Sequence, residues 1–238
     1  MAAGLALVAS GASSARVDRA PAKAGTPTRI AAERHWTLPQ PQQPTLSELF
    51  AASPRDGGWA GFLLPQVAAG KPLLWIQDRM AIREAGRVHP AGLPGLELIH
   101  VAARDGKDAL WAMEEGLRCP GIGAVIGELW GDPASLDFIA TRRLAVAAER
   151  TGVPCWLVRL NGTANLSGAR MRWRIASHPS LPHPFDFKAP GAPTWDAELF
   201  RARGHAPGRW ALAHETDRFH LLAEPGDRAL GEDLRLSA

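Results

Sequence analysis

Apolar residues fall along this chain in short blocks whose spacing changes from segment to segment. From about residue 72 the blocks become regular. Residues 73–76 (LLWI), 98–102 (LIHVA), 124–126 (AVI) and 155–160 (CWLVRL) are short, mostly unbroken apolar runs, the pattern of strands covered on both faces. Between them the spacing lengthens to that of helices. Ala109, Leu110, Met113 and Leu117 recur at helical intervals behind Asp105, an N-cap candidate. Asp132 followed by Pro133 predicts the start of a second helix, ending at Gly152 with Pro154 just beyond. Strands alternating with helices predict an α/β protein with a mostly parallel sheet flanked by helices.

The two ends of the chain read differently. Arg170, Arg172 and Arg174 alternate with Met171, Trp173 and Ile175, so 170–175 predicts a strand with one solvated, basic face. Residues 178–193 form a Pro-rich loop, and 210–213 and 219–223 predict an antiparallel C-terminal hairpin at the sheet edge. Upstream, TLPQPQQPT (37–45) excludes a regular element, because proline removes a backbone donor and disfavours helix in the residue before it. A short apolar helix is expected from Thr45 or Ser47, with Ser47 as N-cap. This divides the chain into a poorly ordered tail over 1–45, one core domain over 46–225 and a flexible tail over 226–238.

Composition and charge then remove whole classes of function. The chain has 238 residues, 46% hydrophobic and 21% charged, which excludes a fully disordered protein. The net charge of +3 excludes a polybasic one, but the charge is uneven. Residues 159–209 hold eight Lys or Arg against three acids, a net of +5. Only four of the 27 basic residues are Lys; arginine is the residue of phosphate, carboxylate and aromatic contacts. No apolar run has the length of a bilayer span, and residues 1–15 imitate a signal peptide only faintly, so a cytoplasmic protein without membrane contact is expected. Two cysteines, Cys119 and Cys155, argue against a disulfide framework or a thiolate metal site. Tyrosine is absent, no G-x-S-x-G occurs, and His178 with His183 make no ligand set by themselves. Trp75, Trp111, Trp130 and Trp156 sit in or beside core elements and read as packing residues.

An α/β sheet of this kind raises the question of a nucleotide. A phosphate-binding loop needs G-x-x-x-x-G-K-[ST] between a strand and a helix: glycines for backbone approach, lysine for the outer phosphates and a hydroxyl for Mg²⁺. Three segments approach this pattern, and none meets it. PQVAAGKP (65–72) keeps Gly70 and Lys71 but has proline at both ends and precedes a strand. VAARDGKD (101–108) joins strand to helix, yet has Asp108 where the hydroxyl belongs. SPRDGGWA has the right loop length, built from Ser53, Pro54, Gly57 and Gly58, with Trp59 in the lysine position and Ala60 in the hydroxyl position. The metal-holding acid expected after the 124–126 strand is Gly127, with Glu128 beside it. Lys107 and Glu128 are therefore the candidates for any residual nucleotide or Mg²⁺ contact. The arginine stripe, together with Arg201 and Arg203, is the candidate DNA or partner surface.

These segments, taken together, resemble the ImuA family of RecA-like accessory proteins of inducible mutagenesis. The resemblance runs from about Leu46 to Ala223. It is carried by LWIQDRMAIREAG (74–86), LIHVAARDGKDALWAMEEGLRC (98–119), AVIGELWGDPASLDFIATRRLAVAAERTGVPCWLVRL (124–160) and NLSGARMRWRIASHPSLPHPFDFKAPGAPTWDAELFRARG (165–204). It implies a RecA-like core whose ATP loop falls on 53–60, whose metal acid falls near Gly127, and whose catalytic glutamate position holds Gln77 or Asp78. It also implies partners: an ImuB-like inactive polymerase, an error-prone alpha-type DNA polymerase, and RecA or DNA as further contacts. The expectation is a non-catalytic adaptor in SOS-induced translesion synthesis, with no ATP or Mg²⁺ expected. Two alternatives stand beside it: a divergent ATP-gated switch using Lys71 or Lys107 with Glu128, and an inhibitor-like interaction module similar to SulA.

Overall fold

The computed structural model describes residues 28–29, 36–67, 70–93, 95–186, 188–215 and 218–223. The expected tail over 226–238, and most of that over 1–45 with its leader-like start, lie outside the described residues. In chain order the elements are β1 (Thr28–Arg29), β2 (Leu46–Ala51), α1 (Gly58–Leu63), β3 (Leu73–Asp78), α2 (Arg79–Ala85), β4 (Leu98–Ala103) and α3 (Gly106–Leu117). They continue with β5 (Ala124–Trp130), α4 (Phe138–Thr151), β6 (Cys155–Leu160), β7 (Met171–His178), β8 (Thr194–Ala202), β9 (Gly208–Glu215) and β10 (Arg218–Ala223).

All strands join one sheet in the order β1-β10-β9-β8-β7-β2-β6-β5-β3-β4. From β7 to β4 every neighbouring pair is parallel; β8, β9, β10 and β1 extend the sheet antiparallel. The expected α/β architecture with its C-terminal hairpin, β9–β10, is therefore present, and β8 and β1 enlarge the antiparallel part. The central strands β3, β5 and β6 bury both faces, so their residues are mostly apolar in succession; β4, at the edge, is only partly covered.

Each face has its own core. On one face α1 and Ala81 of α2 meet an aromatic-rich cluster holding Trp59, Phe62, Trp75, Trp156, Trp173 and Trp195. On the other, α3 and α4 cover an aliphatic cluster around Leu46, Ile76, Met113, Val125, Leu144 and Leu157. Trp36 and Leu38 join the aromatic cluster, so packing begins before residue 46.

Cap chemistry explains where the helices start and stop. Asp105 caps α3 as expected, its Oδ1 accepting from Asp108 N at 2.9 Å. Gly152 ends α4 at φ 74°, a left-handed turn that favours glycine. Two expectations are corrected. No helix begins at Thr45 or Ser47, because 46–51 is β2, lodged between β6 and β7 with both faces buried. The helix predicted from Asp132 begins instead at Phe138, capped by Asp137, whose Oδ1 accepts from Ala140 N at 2.7 Å. Asp132 is taken by Arg159 and Thr163 of the next strand and loop. Among the described residues no helix is long and apolar enough to cross a membrane.

Candidate functional site

The segment 53–60 runs from the end of β2 into the first turn of α1, at the C-terminal end of the parallel strands, where open α/β sheets bind ligands. A cavity of about 220 Å³ opens there. Pro54, Gly57, Trp59 and Ala60 line it from the loop, Gln77 from the end of β3, and Glu128 from β5. Ser53 and Gly58 belong to the same loop but do not line the cavity.

The arrangement differs from a phosphate-binding loop in two ways. Trp59, in the lysine position, turns into the aromatic core and packs on Trp75, ring centroids 5.8 Å apart. The first amide of α1 is already spoken for: Gly58 N donates to Asp56 Oδ1 at 2.9 Å. The same carboxylate accepts from Ser177 N at 2.7 Å and from the Ser177 hydroxyl. Partial burial pushes the Asp56 carboxyl up, but the Ser177 and Gly58 hydrogen bonds outweigh it and hold the group below its usual range. An internal carboxylate thus closes the loop onto β7. The lysine and the free first amide of a phosphate-binding loop are thus both missing here, while Arg55 and Arg87 also line the cavity.

Glu128 occupies the centre of the cavity wall. It is 3% exposed and accepts from Trp75 Nε1 at 3.1 Å and Gln77 Nε2 at 3.0 Å. Burial pushes its carboxyl up to about 7; the two hydrogen bonds pull the other way, and the nearby Asp78 adds to the rise. The offset of one residue from the expected acid has a geometric consequence. Gly127 faces α3, and a β-carbon there would collide with Met113 Sδ. Glu128 therefore points to the α1 face. Gln77 has no spare capacity: its amide also donates to Gly86 O at 3.0 Å, and its oxygen accepts from Val88 N at 2.9 Å and contacts His100 Nε2 at 3.1 Å. Asp78 is equally engaged, accepting from Ala81 N at 2.6 Å and Trp130 N at 3.1 Å.

The two lysine candidates are elsewhere. Lys71 stands before β3, at the opposite end of the strands, and donates to Pro120 O at 3.0 Å. Lys107, in the first turn of α3, lines a separate depression with Trp111 and Asp137 and does not join Glu128.

The arginine stripe is corrected as well. Strand β7 is internal rather than an edge, and Arg172 is only 4% exposed. Arg172 Nε donates to Glu48 Oε2 at 2.6 Å, with its guanidinium 5.4 Å from the Phe50 centroid and 5.1 Å from that of Phe200. Arg159 sits on the other side of Phe50, also at 5.4 Å, with Glu48 at 3.5 Å and Asp132 in contact. Arg170 pairs with Glu149 at 2.7 Å and Arg174 with Glu198. Arg201 and Arg203 are both exposed and enter no ion pair within 4 Å among the described residues. Sequence reasoning missed Glu48, Phe50 and Asp56. The signals were present: alternation in LSELFA puts Glu48 and Phe50 on one face, and Asp before Gly-Gly marks a turn that captures a backbone amide.

Fold and site together define an α/β protein with a strand–loop–helix at the nucleotide position but without the loop's chemistry. Comparison with known proteins places it more closely. The chain is 32% identical over 173 residues to Protein ImuA of Caulobacter vibrioides strain NA1000, covering 66% of this chain and 68% of that protein. The same protein from the CB 15 strain matches to the same extent. The chain belongs to the ImuA family. No protein-family profile matches it.

Proposed function

We propose that this chain is a non-catalytic, RecA-like adaptor of SOS-induced, error-prone translesion synthesis, working in the cytoplasm without a bound cofactor. Its partners in this reading are an ImuB-like inactive polymerase and an error-prone alpha-type polymerase. Family membership supports the pathway, and the strand order around β2 supports a RecA-like core. The observation that carries the non-catalytic reading is the closed loop: Trp59 fills the lysine position and the Asp56 carboxylate occupies Gly58 N–H. Triphosphate there would meet the Asp56 carboxylate at the loop and no lysine in the Trp59 position; the cations on the cavity wall are Arg87 and Arg55, the latter paired with Glu84 at 3.6 Å.

The test is a titration of the full chain with Mg-ATP, followed by tryptophan fluorescence, with Lys71→Ala and Lys107→Ala alongside. No saturable change up to millimolar nucleotide is expected. Binding that one lysine variant abolishes would replace the adaptor by an ATP-gated switch. The partner half of the reading stands on a second experiment. Absence of a complex with the purified ImuB-like protein, with damage-induced mutation unchanged on deletion, would refute it.

A further inference from the structure

Helix α4 is apolar on the wrong side. Its inward face, Ala140, Leu144, Ala145 and Ala148, is buried against the sheet, as an amphipathic helix requires. Yet Ile139 is 64% exposed, and Val146 and Phe138 are exposed with it. Trp111 of α3, read from the sequence as a packing residue, is also 64% exposed. These four side chains line one feature. A cavity of about 360 Å³ holds Phe138, Ile139 and Val146 between α3 and α4. A second, of about 330 Å³, holds Trp111 and shares Ile139 and Arg143 with the first. The two form a continuous groove, crossed where Arg143 Nε donates to Glu114 Oε1 at 2.9 Å.

The rim is basic. Lys107, Arg118, Arg142, Arg143 and Arg150 surround the apolar floor. The carboxylates of the groove are already used: Glu114 by Arg143, and Asp137 as the cap of α4. Arg118 is paired with Glu115. Lys107, Arg142 and Arg150 enter no ion pair within 4 Å among the described residues. An apolar channel between two helices, with unneutralised positive charge along it, is complementary to a helix with apolar anchors at i, i+3 or i+4 and carboxylates flanking them. Nucleic acid fits less well, because a phosphate backbone leaves Ile139 and Val146 uncovered.

We infer that the α3–α4 groove is the docking site for an acidic amphipathic helix of the protein partner. This rests on the adaptor reading for the partner's identity. The helix would seat an anchor in each cavity and set its carboxylates against Lys107, Arg142 and Arg150. Truncating central apolar anchors of such an interface typically costs the bulk of the affinity, whereas rim charges govern its salt dependence.

The test uses the full chain and the purified ImuB-like protein in a binding titration at low and physiological salt. Ile139→Glu with Val146→Glu is expected to weaken binding at least ~30-fold. Arg142→Glu with Arg150→Glu should weaken it about 10-fold at low salt and flatten its salt dependence. Phe185→Ser, at an exposed phenylalanine of the 178–193 loop, should leave it unchanged. Circular dichroism and Tm confirm that each variant is folded. As a readout needing no disruptive change, complex formation should shift tryptophan emission to the blue, and Trp111→Phe should remove that shift. If the wild type binds and both groove variants bind equally well, the groove proposal is overturned and the adaptor reading survives. The groove proposal also falls if the variants lose affinity for a labelled single-stranded oligonucleotide but keep the partner. If the wild type does not bind at all, the adaptor reading fails, and the docking proposal with it.

Discussion

At the level of single residues, two buried charges dominate. Glu128 is an acid whose folded pKa lies near 7, above the ordinary 4.5 of the unfolded chain. The folded state therefore holds its proton through a window in which the unfolded chain has released it. Its own contribution to stability is greatest below about pH 4.5 and falls as pH rises through 7, by up to about 3 kcal/mol. Glu128→Gln keeps an oxygen for Trp75 and Gln77 and removes the titration. Its Tm should exceed that of the wild type at pH 8 and converge with it near pH 4.5; equal Tm values at pH 8 would contradict the buried-acid account. Glu48 is fully buried and lies between two nearly buried arginines. Glu48→Ala strips the buried Arg172 guanidinium of its carboxylate and leaves Arg159 with Asp132 alone, and should cost about 3–5 kcal/mol in urea unfolding. Replacing Glu48 and Arg172 together by Leu and Met should recover much of that loss, because Arg172 is no longer stranded and Arg159 keeps Asp132.

At the level of elements, the loop–α1 junction is the part most open to test. Asp56 satisfies the first amide of a six-residue helix and ties it to Ser177 of β7. Asp56→Ala should lower stability by about 1–3 kcal/mol and raise hydrogen exchange at the Gly58 and Ser177 amides, with β5 and β6 unaffected. Unchanged exchange at both amides would mean the carboxylate does not hold the loop. How legible each element is depends on its surroundings. Strands β3 to β6 and helix α3 are readable because their apolar spacing and caps agree. Strand β2 is not: in LSELFA a glutamate and a serine interrupt the apolar run, and only partners far along the chain, Arg159 and Arg172, make Glu48 acceptable there. The start of α4 is misplaced by sequence reasoning because Asp132-Pro133 has the local chemistry of a cap, yet Arg159 and Thr163 claim the Asp132 carboxylate. The basic stripe does alternate, as its sequence predicts, but its centre, Arg172, is buried and only Arg174 is fully exposed. Alternation fixes which face a side chain takes, and only topology decides whether that face is covered.

At the level of the whole molecule, one sheet carries two differently built halves. The central parallel strands are buried on both faces and end in the closed loop; the excess of basic charge evident in the sequence straddles the junction, from β6 and β7 into β8 and β9. Much of that excess is neutralised internally, through Arg159, Arg170, Arg172, Arg174 and Arg209, so weak dependence of DNA affinity on the Arg170–Arg174 stripe is expected. Arg172→Gln should act on Tm before it acts on any oligonucleotide titration. Besides Arg201 and Arg203, positive charge outside these ion pairs lies across the sheet from the aromatic core, on α3 and α4. The aromatic core has a consequence of its own. Trp59 and Trp75 stand 5.8 Å apart, and the Trp75 indole donates directly to the carboxyl that titrates near neutrality. The chain thus contains a built-in optical proton gauge. Near-ultraviolet circular dichroism and indole emission should change with a midpoint near pH 7, Glu128→Gln should silence that transition, and Trp75→Phe should remove most of its amplitude.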